Sequence, residues 1–236
     1  MKSPTNPYAG FRYPAEIISH AVWLYHRFTL SFREVEEILA ERGMVVSDET
    51  IRQWCLKFGS QYAAELRRRR PQPGDKWHLD EVRVVIHGEV YWLWRAVDQN
   101  HQTVDMLMQK RRNKRAAKRF FKKLLKGLRY APRVIITDKL RSYGAARKEI
   151  LPGVEHRQHK GLNHQAEVSH QPTRQPERQM RGFKSASQAQ RFLSVHAPIN
   201  NLFRPRRHRM TATDYRAARQ QAFETWQQVT CAQSAP

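Results

Sequence analysis

The feature that most limits how this chain can fold is the break at 67–74, where four consecutive arginines run into Pro71-Gln-Pro-Gly74. Two prolines and a glycine stop a helix and cannot sit inside a sheet, so the stretch separates two modules. Charge divides at the same place. Residues 1–66 hold seven Lys/Arg against eight Asp/Glu, whereas the remaining 170 hold 36 against 13. A net charge of +22 concentrated in one module repels itself and predicts a polyanionic partner. The expected organisation is a small domain over 1–66, a linker over 67–74, a larger domain over 75–205 and a basic helical tail over 206–236.

Several classes are set aside at once. Cys55 and Cys231 are the only cysteines, too few for a disulfide framework or a four-cysteine zinc site. No apolar run approaches the roughly 18 residues of a membrane span, and the opening MKSPTNPYAGFRYPAE has no signal-like apolar stretch. The expectation is a cytoplasmic, nucleoid-associated protein with no membrane partner.

The first module reads as three helices. Ala15–Phe28 places Ile17, Ile18, Ala21, Val22, Leu24 and Tyr25 on one face after Pro14. Ser31 is placed to cap a second helix over Phe32–Arg42, stopped by Gly43, and a third runs from Ser47 or Asp48 to Phe58, ended by Gly59. Two short helices around a glycine turn fit a helix-turn-helix, with Thr50, Arg52, Gln53 and Lys57 displayed toward DNA. A small bundle that only dimerises is the alternative.

The second module opens with a β-branched, aromatic strand over Trp77–Ile86, a His87-Gly88 turn and a return strand over Val90–Val97. Thr103–Met108 makes a third strand. Residues 110–129 contain eleven Lys/Arg and no acid, on a helix whose buried stripe is Ala117, Phe120, Phe121, Leu124 and Leu125. Arg133–Thr137 reads as a strand covered on both faces, followed by a helix over Ser142–Ile150, a strand near Val154–Arg157 and more helix from about Asn163. That order is the order of a ribonuclease-H-like α/β fold. With no acid inside 110–129 to form local pairs, Arg111, Arg112, Lys114, Arg115, Lys118 and Lys122 are candidates for phosphate contacts, with Arg206 and Arg207 adding to the track.

Acids are scarce in the basic module, so each acid within a strand calls for a reason. Asp80 lies inside the first strand, and Asp138 at the C-terminal end of Val-Ile-Ile-Thr, where open α/β sheets place ligand sites. Two carboxylates brought together, with a third from a later helix, would make a hard-oxygen site for Mg2+ or Mn2+ suited to phosphodiester chemistry. The plainer alternative is that Asp80 pairs with a neighbouring Arg and Asp138 caps the next helix.

The stretches WHLDEV, ITDKLRSYGAA, PGVEHRQHKGLNHQAEVSHQPTR and ERQMRGFKS closely resemble the insertion-sequence-six family of bacterial DDE transposases. The resemblance runs from FRYPAEII to RPRRHRMTATDYRAAR. It implies an N-terminal helix-turn-helix, a ribonuclease-H-like, integrase-type core, and DNA transposition of the replicative or cointegrate-forming kind. It further implies a metal-binding catalytic triad of Asp80, Asp138 and Glu167, holding Mg2+ with Mn2+ as a substitute. The implied partners are the element's terminal inverted repeats and target DNA, with the protein a homo-oligomer on DNA. Only 28 residues separate Asp138 from Glu167, fewer than is usual in the family, and 38 separate it from Glu177. The N-x-x-x-E match favours Glu167. His164 and Gln165 stand where the family has Asn and a basic residue. Two competing functions are a DNA-binding regulator whose core has lost activity and a nuclease without strand transfer.

Overall fold

The computed structural model describes residues 6–128, 130–138, 140–158, 182–205 and 210–231. In chain order the elements are α1 (Ala15–Phe28), α2 (Phe32–Glu41), α3 (Asp48–Arg69), β1 (Lys76–Ile86), β2 (Glu89–Asp98) and β3 (Thr103–Gln109). There follow α4 (Lys114–Leu128), β4 (Val134–Thr137), α5 (Arg141–Ile150), β5 (Glu155–Gln158), α6 (Ala186–Phe203) and α7 (Ala212–Thr230). They form two compact units, Met1–Arg69 with Pro198–Pro236, and Arg70–Ala197.

In the helical unit, α2 opens on a capping box. The Glu34 amide donates to Ser31 Oγ at 3.2 Å and the Ser31 amide to Glu34 Oε2 at 2.5 Å. Gly43, with φ +76°, ends it as predicted. The third helix differs from expectation. It does not stop at Gly59 but continues to Arg69, because Gly59 is buried and the apolar stripe carries on through Tyr62, Ala63 and Leu66. A glycine on a packed face provides room for a neighbour, and it ends a helix only where the chain must turn left-handed. The C-terminal segment also departs from a tail over 206–236. The Tyr8 hydroxyl bonds the Thr230 carbonyl on α7 and lies 2.6 Å from the Tyr62 hydroxyl. The rings of Tyr62 and Trp226 meet edge-on at 5.4 Å, and those of Phe203 and Phe223 at 5.0 Å. The described residues from 198 onward therefore complete the helical unit.

The other unit is built on a five-stranded sheet in the order β3-β2-β1-β4-β5. The β1–β2 hairpin turns through His87 (φ 49°) and Gly88 (φ 78°), both left-handed, as a two-residue turn requires. Strands β1, β2 and β3 are antiparallel, while β4 and β5 run parallel to β1. Three antiparallel strands followed by parallel strands reached through helices is the ribonuclease-H-like arrangement, as predicted. Its main core packs Trp77, Leu79, Trp94 and Ile135 against Phe120, Phe121 and Leu124 of α4 and Tyr143 of α5. The helix α4 begins at Lys114, not 110, because Asn113 Oδ1 accepts the Ala116 amide at 3.0 Å and so caps it. Arg111 and Arg112 consequently lie on the loop before the helix. The helix predicted from Asn163 lies outside the described residues. Among those residues no helix is long and apolar enough to cross a membrane.

Candidate active site

The parallel pairing of β1 with β4 sets Trp77 beside Ile135 and His78 beside Ile136. Two residues beyond the last pair stand Asp80, within β1, and Asp138, just past the end of β4, so the parallel register carries the chain toward both predicted acids in the same direction. Asp80 is half-buried. Its cross-strand neighbour on β2 is Arg95, itself 3% exposed. Burial pushes the Arg95 guanidinium down to about 10, with the Asp80 carboxylate opposing that shift. Asp138 Oδ1 accepts the Leu140 amide at 2.9 Å at the entry to α5. An arginine therefore stands across the sheet from Asp80, whereas Asp138 bonds within the preceding turn and does not cap α5, whose N-cap residue, Leu140, makes no side-chain cap bond.

The sequence reading missed Glu81. Strand alternation turns it to the face opposite Asp80, where its side chain is fully buried. There the Tyr143 hydroxyl donates to Glu81 Oε2 at 2.7 Å and Arg112 Nε to Glu81 Oε1 at 2.5 Å. Arg112 Nη2 also reaches Asp138 Oδ2 at 3.5 Å, and the guanidinium lies over the Trp92 ring at 4.9 Å. Burial raises the Glu81 carboxyl to about 7, with the Asp138 charge adding, while the Tyr143 hydrogen bond and Arg112 offset it. The Tyr143 hydroxyl is raised well above its usual value by burial first, then by Glu81, with Asp80 and Asp138 contributing. One buried hydroxyl thus senses three carboxylates. The available signal was the Asp80-Glu81 pair itself, two adjacent acids inside an apolar strand, which alternation must send to opposite faces.

Among the described residues no group of three His, Cys, Asp or Glu side chains is gathered closely enough to hold a metal ion. Glu167, the predicted third ligand, and its alternative Glu177 lie outside them. The donor chemistry nonetheless fits a hard divalent cation, since Asp80 and Asp138 supply only oxygen ligands, while the Arg112 guanidinium 3.5 Å from Asp138 opposes a second positive charge there.

The predicted DNA-contacting residues divide into several groups. On α3, Glu49 accepts from Arg52 Nε and Nη2 at 2.7 Å and from Gln53 Nε2 at 2.7 Å, and its carboxyl is held at about 2 by those hydrogen bonds. Thr50 Oγ1 lies 2.9 Å from Ser47 Oγ, and Lys57 Nζ sits 4.3 Å from the Phe11 ring. On α4, Lys114 and Lys118 both pair with Glu149 of α5, an inter-helix pairing that a search for local pairs does not reveal. Arg111 is exposed on the loop before α4. Arg115 and Lys122 are exposed with Arg119 and Lys126, spaced four, three and four apart along one face of α4. None of these four has an ion-pair partner among the described residues. Arg119 and Lys126 were not singled out in the sequence. Arg206 and Arg207 lie outside the described residues.

Residues 74–206 match a family model described as a DDE domain, DDE_Tnp_IS240. Over 144 residues the chain is 32% identical to the transposase for insertion sequence-like element IS431mec of Staphylococcus aureus. That alignment covers 60% of this chain and 64% of the relative, so the chain spans somewhat less than two thirds of that protein's length. The transposase for insertion sequence element IS257 in transposon Tn4003, also of S. aureus, is 31% identical with the same coverage. Among solved structures there is a loose likeness to the HTLV-2 integrase catalytic core domain in complex with magnesium, at 13% identity and a TM-score of 0.39, over 57% of this chain and 88% of that one. The family model takes in the strand bearing Asp80, the strand end bearing Asp138 and the segment bearing Glu167, and the chain belongs to the DDE domain family it describes, in keeping with the resemblance to insertion-sequence-six transposases.

Proposed function

We propose that this protein is a metal-dependent DNA transposase that cleaves the ends of an insertion sequence and joins them to target DNA. The reading is supported by the parallel pairing of β1, which bears Asp80, with β4, which leads into Asp138, in a chain that belongs to the DDE domain family. Asp80, Asp138 and Glu167 would hold Mg2+, or Mn2+ in its place. The bound ions would lower the pKa of the attacking hydroxyl and neutralise charge on the leaving oxygen. In cleavage, a water oxygen bonds to phosphorus at the element end, the bond from phosphorus to the 3′ oxygen breaks, and that oxygen takes up a proton to become a 3′-hydroxyl. In joining, the freed 3′-hydroxyl attacks a target phosphodiester and displaces that strand's 3′ oxygen. Joining forms one phosphodiester bond for the one it breaks and so needs no energy source, and neither step needs a protein nucleophile.

The exposed row on α4 supports a phosphate-binding track, and α3 the reading of element ends. A replicative or cointegrate-forming pathway, a homo-oligomer assembled on terminal repeats and target, and action on the nucleoid in the cytoplasm belong to the same reading. The second reading, a DNA-binding regulator, draws on the Arg95 neighbour of Asp80 and the turn bond of Asp138. Purified full-length protein, Mg2+ and a duplex bearing the element's own ends test both. Cleavage and joining that vanish in Asp80→Ala with DNA binding retained support the transposase. Binding without any cleavage by the unaltered protein supports the regulator, and cleavage without joining identifies a nuclease.

A further inference from the structure

We infer that Arg112 is the guanidinium that grips the phosphate under attack beside Asp138, and that Glu81 and Tyr143 are the positioning residues that aim it. The inference rests on the phosphoryl-transfer reading of the Asp80–Asp138 site. Arg112 belongs to no helix, yet three neighbours fix its side chain. Glu81 accepts its Nε at 2.5 Å and also contacts Nη2, the Trp92 ring backs its plane at 4.9 Å, and Asp138 Oδ2 lies 3.5 Å from Nη2. Glu81 is held in turn by the Tyr143 hydroxyl at 2.7 Å, from a side chain with no exposed surface. A buried carboxylate gripping one edge of an otherwise mobile arginine removes the rotamer freedom that a phosphate contact would have to freeze out.

The other edge of the guanidinium is turned outward. The Arg112 side chain is 36% exposed, and its Nη1 donors have no partner among the described residues. A planar fork with two donors committed inward and the rest open beside a carboxylate pair is suited to a tetrahedral oxyanion of phosphate type. The position also explains how a strongly basic protein keeps a carboxylate cluster intact before DNA arrives, since Arg112 offsets the repulsion between Glu81 and Asp138. On docking, the guanidinium would exchange its long contact to Asp138 for a non-bridging oxygen while Glu81 retains the inner edge.

Two measurements on the full chain test this. The first is Mn2+ binding to DNA-free protein, read by electron paramagnetic resonance. Arg112→Gln removes a cation from beside Asp138 and should tighten Mn2+ binding severalfold, whereas Asp138→Asn should weaken it. If Asp138→Asn has no effect, the metal-site reading itself fails. If Asp138→Asn weakens binding and Arg112→Gln leaves it unchanged, only the present inference fails. The second is joining on a duplex bearing the element's own ends. Arg112→Gln should slow joining by about 10²-fold or more, the loss typical of one donor to a transition-state oxyanion, with duplex binding within about threefold of the unaltered protein. Arg112→Lys, which keeps the charge and loses the fork, should recover only part of that rate. Glu81→Gln should slow joining about tenfold alone but add little in the Arg112→Gln background, because a positioning residue has nothing left to position. Losses that multiply in the double variant, or full activity in Arg112→Gln, would overturn the assignment.

Discussion

At the start of α3, Arg52 and Gln53 both turn inward on Glu49, and Lys57 rests on an aromatic ring. Along α4, Arg115, Arg119, Lys122 and Lys126 form an exposed row with no ion-pair partner among the described residues. Both helices present polar residues at helical spacing, yet they are suited to different tasks. Cations held by a neighbouring carboxylate repel little, add little non-specific affinity, and are released only when something better is offered, which suits selective recognition. Unanswered cations carry displaced counterions and attract any phosphate backbone. Under the proposed function, α3 serves selectivity and the α4 row affinity.

The largest effect expected is on stability, and it checks whether the basic row stands on a rigid base. Phe120 on α4 is wholly buried against Trp94, so Phe120→Ala should cost about 3–5 kcal/mol in denaturant unfolding followed by a sheet-unit probe. A loss below about 1 kcal/mol would mean that α4 is not anchored as described. Replacing Arg115, Arg119, Lys122 and Lys126 together by Gln should flatten the log–log salt dependence of DNA binding by about 0.9 for each phosphate contact removed. The same change at Lys114 and Lys118, which pair with Glu149, should flatten it less. Equal effects from the two sets would erase the distinction between answered and unanswered cations.

The helical unit gives the converse test. Glu49→Gln leaves Arg52 without its carboxylate partner and should raise DNA affinity a few-fold, with a steeper salt dependence measured by fluorescence anisotropy. Unchanged affinity would show that the Glu49 pairing has no bearing on recognition. The smallest effect concerns acid. Lys114 and Lys118 hold the Glu149 carboxyl at about 2, below its ordinary value of 4.5. A depressed folded-state value means that the clasp between α4 and α5 contributes above pH 4.5 and is lost as pH falls through about 2. Carboxyl chemical shifts of Glu149 followed by NMR should therefore stay flat from pH 7 to about 3. Titration near 4.5 would show that the clasp does not form in solution.

Local signals were read well. The Ser31–Glu34 capping box, the His87-Gly88 turn and the buried stripe of α4 each follow from residues within a few positions of one another. Failures came where distant parts of the chain decide the outcome. Gly59 reads as a stop unless the face it packs on is known, and nothing local in α7 says that Thr230 meets Tyr8. Glu149 answers Lys114 and Lys118 from another helix, across more than thirty residues. The site was legible in part for the same reason. The Asp80 and Asp138 motifs are each local, one within β1 and one at the end of β4, whereas the Glu81–Arg112–Tyr143 network joins a strand, a loop and a helix and has no sequence pattern of its own. The third carboxylate rests on the motif around Glu167 alone.

That third ligand is where the account is tested most directly. Cleavage and joining should be measured with Mg2+ on duplexes bearing the element's ends, using the unaltered protein, Asp80→Asn, Glu167→Gln and Glu177→Gln, with DNA binding followed in parallel. Glu167 and Glu177, ten positions apart in the sequence, are the two candidates for that ligand. The account predicts that Asp80→Asn and Glu167→Gln abolish both reactions while DNA binding persists, and that Glu177→Gln keeps substantial activity. Loss of activity in Glu177→Gln with Glu167→Gln still active, or joining that survives Asp80→Asn, would contradict it.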